Sequence, residues 1–389
     1  MCITVWKYGG IFLTFVSKFT EIMKKLLFIV AGILLLSSCH LFHGHKADGK
    51  TGATKLVNTV IYKQERKHFK SVKQLTFGGD NAEAYWSFDD KKLVFQARNP
   101  RWNVPCDQIF VMEADKPLDS VHMPKMVSTG KGRTTCSYFL PGDTLILYAS
   151  THEGDAACPP EPEKSKDTYV WPIYPTYDIY VADLNGNIIK KLTDEPGYDA
   201  EATVSPQGDK IVFTSDRSGD LELYVMDIDG SNVRQLTHDL GYDGGAFFSP
   251  DGKQIVFRAS RPKTPEEIKK YKDLLAQHLV EPSHMEIFVI NTDGTGLRQV
   301  THLGGANWAP FFHPSGKKII FSSNHKTGTI PFNLYMINVD GTGLEQITYD
   351  GVFDAFPMFS YDGKKLVFGS NRNNNGTHDT NLFIAEWKD

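Results

Sequence analysis

Carboxylates recur at one place in a repeating pattern of this 389-residue chain, just ahead of short apolar segments: Asn81-Ala82-Glu83, Asp199-Ala200-Glu201, Asp243-Gly244 and Asp354-Ala355. In two further copies the same place holds Arg133-Thr134 and Asn307-Trp308. Five carboxylates gathered at one mouth would repel by about 2 kcal/mol per pair at roughly 7 Å and an effective dielectric of ~20. The offset is expected from Arg133, from the loop residues Arg98, Arg217, Arg258, Arg261 and Arg372, or from a bound calcium or other divalent cation. His152 and His325 head equivalent loops, and with a channel carboxylate they supply the donor types of a metal site. Tyr198 and Tyr242 repeat at one position with Trp308 nearby; aromatic side chains on a concave mouth suit sugars or peptides, and equally suit packing between repeats. The candidate ligand-binding set is therefore Glu83, Arg133, His152, Asp199, Glu201, Asp243, Arg258, Arg261, Asn307, Trp308, His325, Asp354 and Arg372. The competing reading is a charge-balanced, water-filled lining. No catalytic residue is assigned.

The elements that must hold these residues follow from the repeats. FSPDGKQIVF (248–257), FHPSGKKIIF (312–321), FSYDGKKLVF (359–368) and VSPQGDKIVF (204–213) align directly, with weaker copies at FDDKKLVF (88–95) and FLPGDTLILY (139–148). Each is followed by an apolar run such as IYVAD, LYVMD or IFVIN, and most of those by a Gly-containing turn and an RQLT-like segment. That makes four short strands, a to d, joined by turns whose residues supply the positive φ angles of tight hairpins. Strand b is apolar on both faces, as in Ile211-Val212-Phe213, so both faces must be covered; blades stacked side by side do this. Strand d closes on Thr76, Thr129, Thr193, Thr237, Thr301 and Thr348. The last repeat lacks its own strand d, and Val72–Phe77 is a strand d with no blade before it. The expectation is an all-β, six-bladed β-propeller of four-stranded antiparallel blades, closed by the N-terminal strand completing the last blade. It should span residues 71–389 as a monomer.

Strand order puts the d–a and b–c loops on one face, and the long b–c loops gather there: 98–107, 152–178 and 258–284. Insertions on one face of a repeat protein mark a binding face. Within the third, Thr264 as N-cap, Pro265 at the first helical position and Glu267 completing a capping box predict a short amphipathic helix, with Ile268, Tyr271, Leu275 and Leu279 at helical spacing. It could decorate the rim or serve as a lid. Cys106, Cys136 and Cys158 fall on this face; Cys136–Cys158 is the preferred disulfide, with buried thiols as the alternative.

With 46 acidic and 42 basic residues, a net charge of −4 and no long basic run, nucleic acid is not an expected partner. No C-x-x-C pair suggests a zinc ribbon or thioredoxin-like site. From Met23, read as the true start, the chain reads MKKLLFIVAGILLLSSC, a three-part secretory signal. Leu26 to Leu36 would span only about 16 Å as a helix, too short for a hydrocarbon core of about 30 Å. Leu36-Ser37-Ser38-Cys39 resembles the bacterial lipobox, which implies lipidation at Cys39, membrane attachment through that lipid, and the outer membrane as destination. Residues 1–39 are accordingly a signal segment, and 40–70, rich in Gly, Lys and His, a flexible tether.

The pattern of LT, FSPDGK-x-(I/L)VF, LYVMD-x-DG and RQLT resembles the propeller repeat of the TolB family, over roughly residues 72–389. That resemblance implies a propeller in the bacterial envelope that binds partner proteins at its channel mouth. The chain departs from the family pattern in having only residues 40–70 ahead of the propeller, where TolB has an α/β domain, and in its lipobox. The repeat also resembles the propeller of prolyl oligopeptidase-type enzymes, but no G-x-S-x-G nucleophile elbow occurs. The expected function is a non-catalytic binding module on an envelope lipoprotein, holding a protein or glycan partner. The alternative is a metal-dependent hydrolase or lyase acting on polysaccharide.

Overall fold

Short apolar strands separated by Gly- and Asp-rich turns fold here into six four-stranded antiparallel sheets, arranged as blades around one axis. The computed structural model describes residues 61–118, 122–162, 169–374 and 376–388. The signal segment, Cys39 and most of the tether lie outside the described residues. Blade 1 begins with its innermost strand a at Asp80–Trp86, and blades 2 to 6 begin at Thr134–Phe139, Asp199–Val204, Asp243–Phe248, Asn307–Phe312 and Asp354–Phe359. Strands b are apolar and buried on both faces, as in Lys210–Ser215 and Lys365–Ser370, because each blade packs against two neighbours.

Two side-chain devices recur, the first in four blades and the second in all six. At the a–b turn a serine hydroxyl accepts the first N–H of strand b, as in Gln254 N to Ser249 Oγ (2.9 Å) and Lys365 N to Ser360 Oγ (3.0 Å). The following glycine, Gly252 or Gly363, has φ +71°, which explains the Asp-Gly of the repeat. At the end of strand d a hydroxyl accepts an N–H at the start of strand c: Thr193 from Ile179 (2.9 Å), Thr237 from Leu223 (2.9 Å), Thr301 from Ile287 (2.8 Å) and Thr348 from Leu334 (2.9 Å). In blade 1 this part is taken by Ser128, which accepts from Ile109 (3.0 Å), one residue ahead of the expected Thr129.

Blade 6 closes as expected, by a strand from the far end of the chain. Phe69–Gln74 pairs antiparallel with Asn381–Trp387, and the Thr76 hydroxyl accepts the Leu382 N–H at 2.8 Å. The strand starts three residues earlier than the Val72–Phe77 of the repeat alignment. Within residues 61–68, read as tether, Glu65 and His68 are buried: Glu65 Oε1 lies 3.2 Å from Arg372 Nη2 and accepts the Tyr349 N–H at 3.0 Å. The blade 4 insertion forms helix α1 (Pro265–Leu275) with the capping box in place and Tyr271 turned inward. No described helix is long and apolar enough to cross a membrane.

Candidate functional site

Strand a of each blade carries a bulge at the same place, which decides what faces the channel. The register shifts fall at Ala82/Tyr85, Thr135/Ser137, Ala200/Thr203, Gly244/Phe247, Trp308/Phe311 and Ala355/Met358. In each, one residue is left-handed: Glu83, Cys136, Glu201, Gly245, Ala309 and Phe356, with φ between 44° and 59°. Five are not glycine, and each such residue costs of order 1 kcal/mol. All six line a cavity of about 1100 Å³, as do the residues three positions earlier: Asp80, Arg133, Tyr198, Tyr242, Ala306 and Phe353. A plain strand would alternate every second residue; the bulge makes the period three.

The cavity has a floor. Tyr85 and Phe247 come from opposite blades, yet their ring centroids stand 5.8 Å apart, and Tyr138 and Phe311 pack beside them at 5.6 and 5.2 Å. It also has a roof. Trp171–Pro172 from the blade 2 insertion pairs antiparallel with Leu279–Val280 from the blade 4 insertion, a two-stranded bridge passing over blade 3. Trp171 lies against Trp308 (5.2 Å), which stacks on Phe332 (4.4 Å) and donates its indole N–H to Pro282 O at 2.7 Å.

Arg258 pins this roof. Its guanidinium carbon sits 5.3 Å from the Trp171 ring and 5.1 Å from that of Tyr242, and Nη2 bonds Glu201 and, at 2.7 Å, the Tyr242 hydroxyl. Glu201 also accepts from Tyr242 OH (2.9 Å), Thr214 Oγ1 (2.8 Å) and Gly245 N (2.9 Å). Burial pushes this carboxyl up, but Arg258 and those donors outweigh it and hold it below its ordinary value. The pair needs the glycine beside it: a Cβ on Gly245 would fall 1.7 Å from Arg258 Nη1. Glu83 moves the other way. Burial, with Glu201's charge adding to it, raises its carboxyl despite donation from Cys136 Sγ (2.7 Å) and Tyr85 OH (3.0 Å). Arg133 lies deeper in the blade 1–2 wall, its Nε 3.5 Å from Asp107, whose carboxyl burial raises. One wall is thus charged and hydrogen-bonding, and the opposite one, Trp308, Phe332, Phe353 and Phe356, is aromatic.

A family model described as the PD40 TolB beta propeller domain matches residues 173–273, which include all of blade 3. The propeller is TolB-like. Among solved structures, the putative TolB from Agrobacterium tumefaciens is 19% identical with a TM-score of 0.50, over 80% of this chain and 91% of that one. TolB from Acinetobacter baumannii is 18% identical with a TM-score of 0.51, over 77% of this chain and 64% of that one. This chain therefore spans under two thirds of the Acinetobacter protein. At such identities the likeness speaks for the fold. No curated protein matches the sequence.

The TolB-like propeller sorts the expected site residues into two groups. Glu83, Arg133, Glu201, Arg258 and Trp308 line the cavity. The others do not: Asp199, Asp243, Asn307 and Asp354 sit one position after the cavity-facing residue and point into the blades, fully or nearly fully buried. There Arg217 donates to Asp199 (2.9 and 2.8 Å), Arg261 to Asp243 (2.9 Å) and Arg372 lies 3.3 Å from Asp354. Each of these arginines stacks on the same strand c aromatic: Tyr224, Phe288 and Phe383, at 5.1, 5.0 and 5.8 Å. His152 packs tilted against the equivalent Tyr180 and His325 edge-on against Tyr335, at 4.5 and 4.6 Å. In their blades the carboxylate is replaced by Thr134 or Asn307, and a histidine, whose charged form burial disfavours, stands in the arginine's place. The two histidines are blade clamps, and among the described residues no three His, Cys, Asp or Glu side chains converge as metal donors.

The expected Cys136–Cys158 bridge is also corrected. Cys158 bonds Cys106, with Cα atoms 5.9 Å apart, tying the blade 2 insertion to blade 1. Cys136 is a buried thiol because the bulge turns it into the cavity toward Glu83. Sequence reasoning missed Asp80, Asp107, Tyr174, Tyr177, Phe353 and Phe356 as lining residues. The signal for most of them was the place at or just ahead of the start of strand a, and the aromatic run Tyr169 to Tyr177 in the blade 2 insertion.

Proposed function

We propose that this protein is an envelope lipoprotein, anchored at Cys39, whose TolB-like propeller is a non-catalytic binding module. Its partner is a glycan or a protein segment narrow enough to pass beneath the bridge between the blade 2 and blade 4 insertions. The observation that carries this is the ring of six left-handed bulge residues facing one roofed, floored cavity. Backbone strain is being held where the ligand would sit, and strain persists only where surrounding structure over-determines it. Both oxygens of Glu201 accept from protein donors, which makes this carboxylate part of the cavity's frame. The alternative, metal-dependent cleavage of polysaccharide, finds its two histidines committed to blade clamps.

The test uses the full chain in its native envelope. Labelled palmitate should enter the wild type and not Cys39→Ser. Crosslinking should trap a glycan or protein on the wild type and not on a Trp171→Ala/Trp308→Ala variant that folds normally. Equal trapping by both would remove the cavity from the mechanism.

A further inference from the structure

Arg98 and Arg133 stand on the charged wall of the cavity, one from blade 1 and one from blade 2. Each has a carboxylate from its own wall. Arg98 donates to Asp80 through Nε (3.2 Å) and Nη2 (2.7 Å), and Arg133 Nε faces Asp107 at 3.5 Å. A third carboxylate meets both: Glu161 bonds Arg133 Nη2 and lies 3.7 Å from Arg98 Nη1. It arrives from the blade 2 insertion rather than from the wall.

That insertion is fastened so as to deliver it. Cys158 is bonded to Cys106, Ala156 O accepts from Gly132 N (2.9 Å), and Pro160 O accepts from the Tyr174 hydroxyl (3.0 Å), which in turn accepts from Arg133 Nη1 (3.3 Å). The two members of the contact differ in how firmly they are held. Arg133's side chain is 10% exposed and belongs to the wall, while Glu161's is 54% exposed and reaches in from water. The carboxylate is the member that can be exchanged.

We infer that Glu161 is a built-in competitor occupying the subsite for a ligand carboxylate, and that the ligand is an acidic saccharide. The inference rests on the cavity being the binding site, as proposed above. An arginine pair reads a planar carboxylate through parallel N–H donors. The opposite wall offers Phe353 and Phe356 to the apolar face of a sugar ring, so a hexuronate matches both sides at once. Exchange conserves charge, since one carboxylate leaves the arginines as another arrives. The ligand therefore pays no new cost for burying a charge, but must displace Glu161.

The experiment is calorimetric titration of the detergent-solubilised full chain with a hexuronate trisaccharide, the matching neutral hexose trisaccharide and a tripeptide with a free carboxylate. Wild type, Glu161→Gln and Arg98→Gln are compared; both sites are solvent-exposed enough to preserve the fold, which circular dichroism verifies. If Glu161 fills the subsite nine-tenths of the time, Glu161→Gln binds the hexuronate about tenfold more tightly, with neutral sugar unchanged. Arg98→Gln weakens the hexuronate alone. Unchanged hexuronate affinity in Glu161→Gln overturns the inference, as does an equal gain for neutral sugar or a gain confined to the tripeptide. Neutral sugar bound equally by all three proteins leaves the cavity reading standing and removes only the acidic preference. Binding of no ligand by any of them removes both.

Discussion

Replacing Arg258 by leucine tests whether the cavity is organised by one buried ion pair. The side chains of Arg258 and Glu201 are 7% and 11% exposed, so screening by water is slight. Leucine keeps the bulk but leaves Glu201 buried with only Tyr242, Thr214 and Gly245 as donors. Removing one member of such a pair costs about 3–5 kcal/mol, mostly as the penalty of the uncompensated charge. The effect of pH follows from the sign of the shift. In the wild type the Glu201 carboxyl lies below its ordinary value, so the pair's contribution is present above that value and lost as pH falls through the lowered one. In Arg258→Leu burial dominates and the carboxyl rises above its ordinary value, so the penalty grows as pH rises and is relieved on acidification. Urea unfolding at pH 7.5 and pH 5 should therefore show the loss shrinking at the lower pH. Arg258→Leu/Glu201→Gln should recover at least about 2 kcal/mol of it, a coupling typical of contacting groups. A loss below about 1 kcal/mol at pH 7.5, no relief at pH 5, or simple additivity in the double variant would refute the reasoning.

Gly245→Ala should cost about 2–4 kcal/mol in the same unfolding assay, because the new methyl group meets both a left-handed backbone and Arg258 Nη1. It should also speed proteolysis within the blade 2 insertion as the roof loosens. Cys106→Ser/Cys158→Ser opens a link across 52 residues and should lower stability by up to about 4 kcal/mol, and peptide mapping without reductant should find Cys136 unpaired. Glu222 is buried, and burial first, then the charges of Asp243 and Asp220, push its carboxyl up to about 8. The folded chain thus keeps a proton that the unfolded chain releases near pH 4.5, and stability falls as pH rises from there toward 8. Glu222→Gln should flatten that fall and add of order 2 kcal/mol at pH 8, measured by thermal unfolding across the range.

The blades were legible because hairpins are local: FSPDGK and the terminal LT each name a turn or clamp whose partners lie within about ten to fifteen residues. Helix α1 was legible for the same reason, its capping box lying within Thr264–Glu267. The closing strand was found by counting strands, and only its register escaped. The cavity was read less well. Asp199, Asp243 and Asp354 look like channel carboxylates until the bulge two residues later is known, since it sets which side chains turn inward. Nothing in Ala200-Glu201 or Ala355-Phe356 announces a left-handed residue. The roof was out of reach as well: Trp171 and Val280 meet across blade 3, and neither segment alone signals a strand. The cysteine pairing failed because Cys106 and Cys158 belong to different blades.

The strand that completes blade 6 fixes when the molecule can finish folding. Blades 1 to 5 can each zip as their own hairpins form, but Phe69–Gln74 must wait for Asn381–Trp387, and Glu65 for Arg372, a partner 307 residues away. Bringing such distant segments together carries a closure entropy of about 5 kcal/mol on the chain-length scaling. Until then an early strand edge stays open and one face of blade 1 is bare. Ring closure therefore depends on two segments from opposite ends of the described chain meeting. Clipping a few residues from either seam would undo a circle rather than shorten a chain.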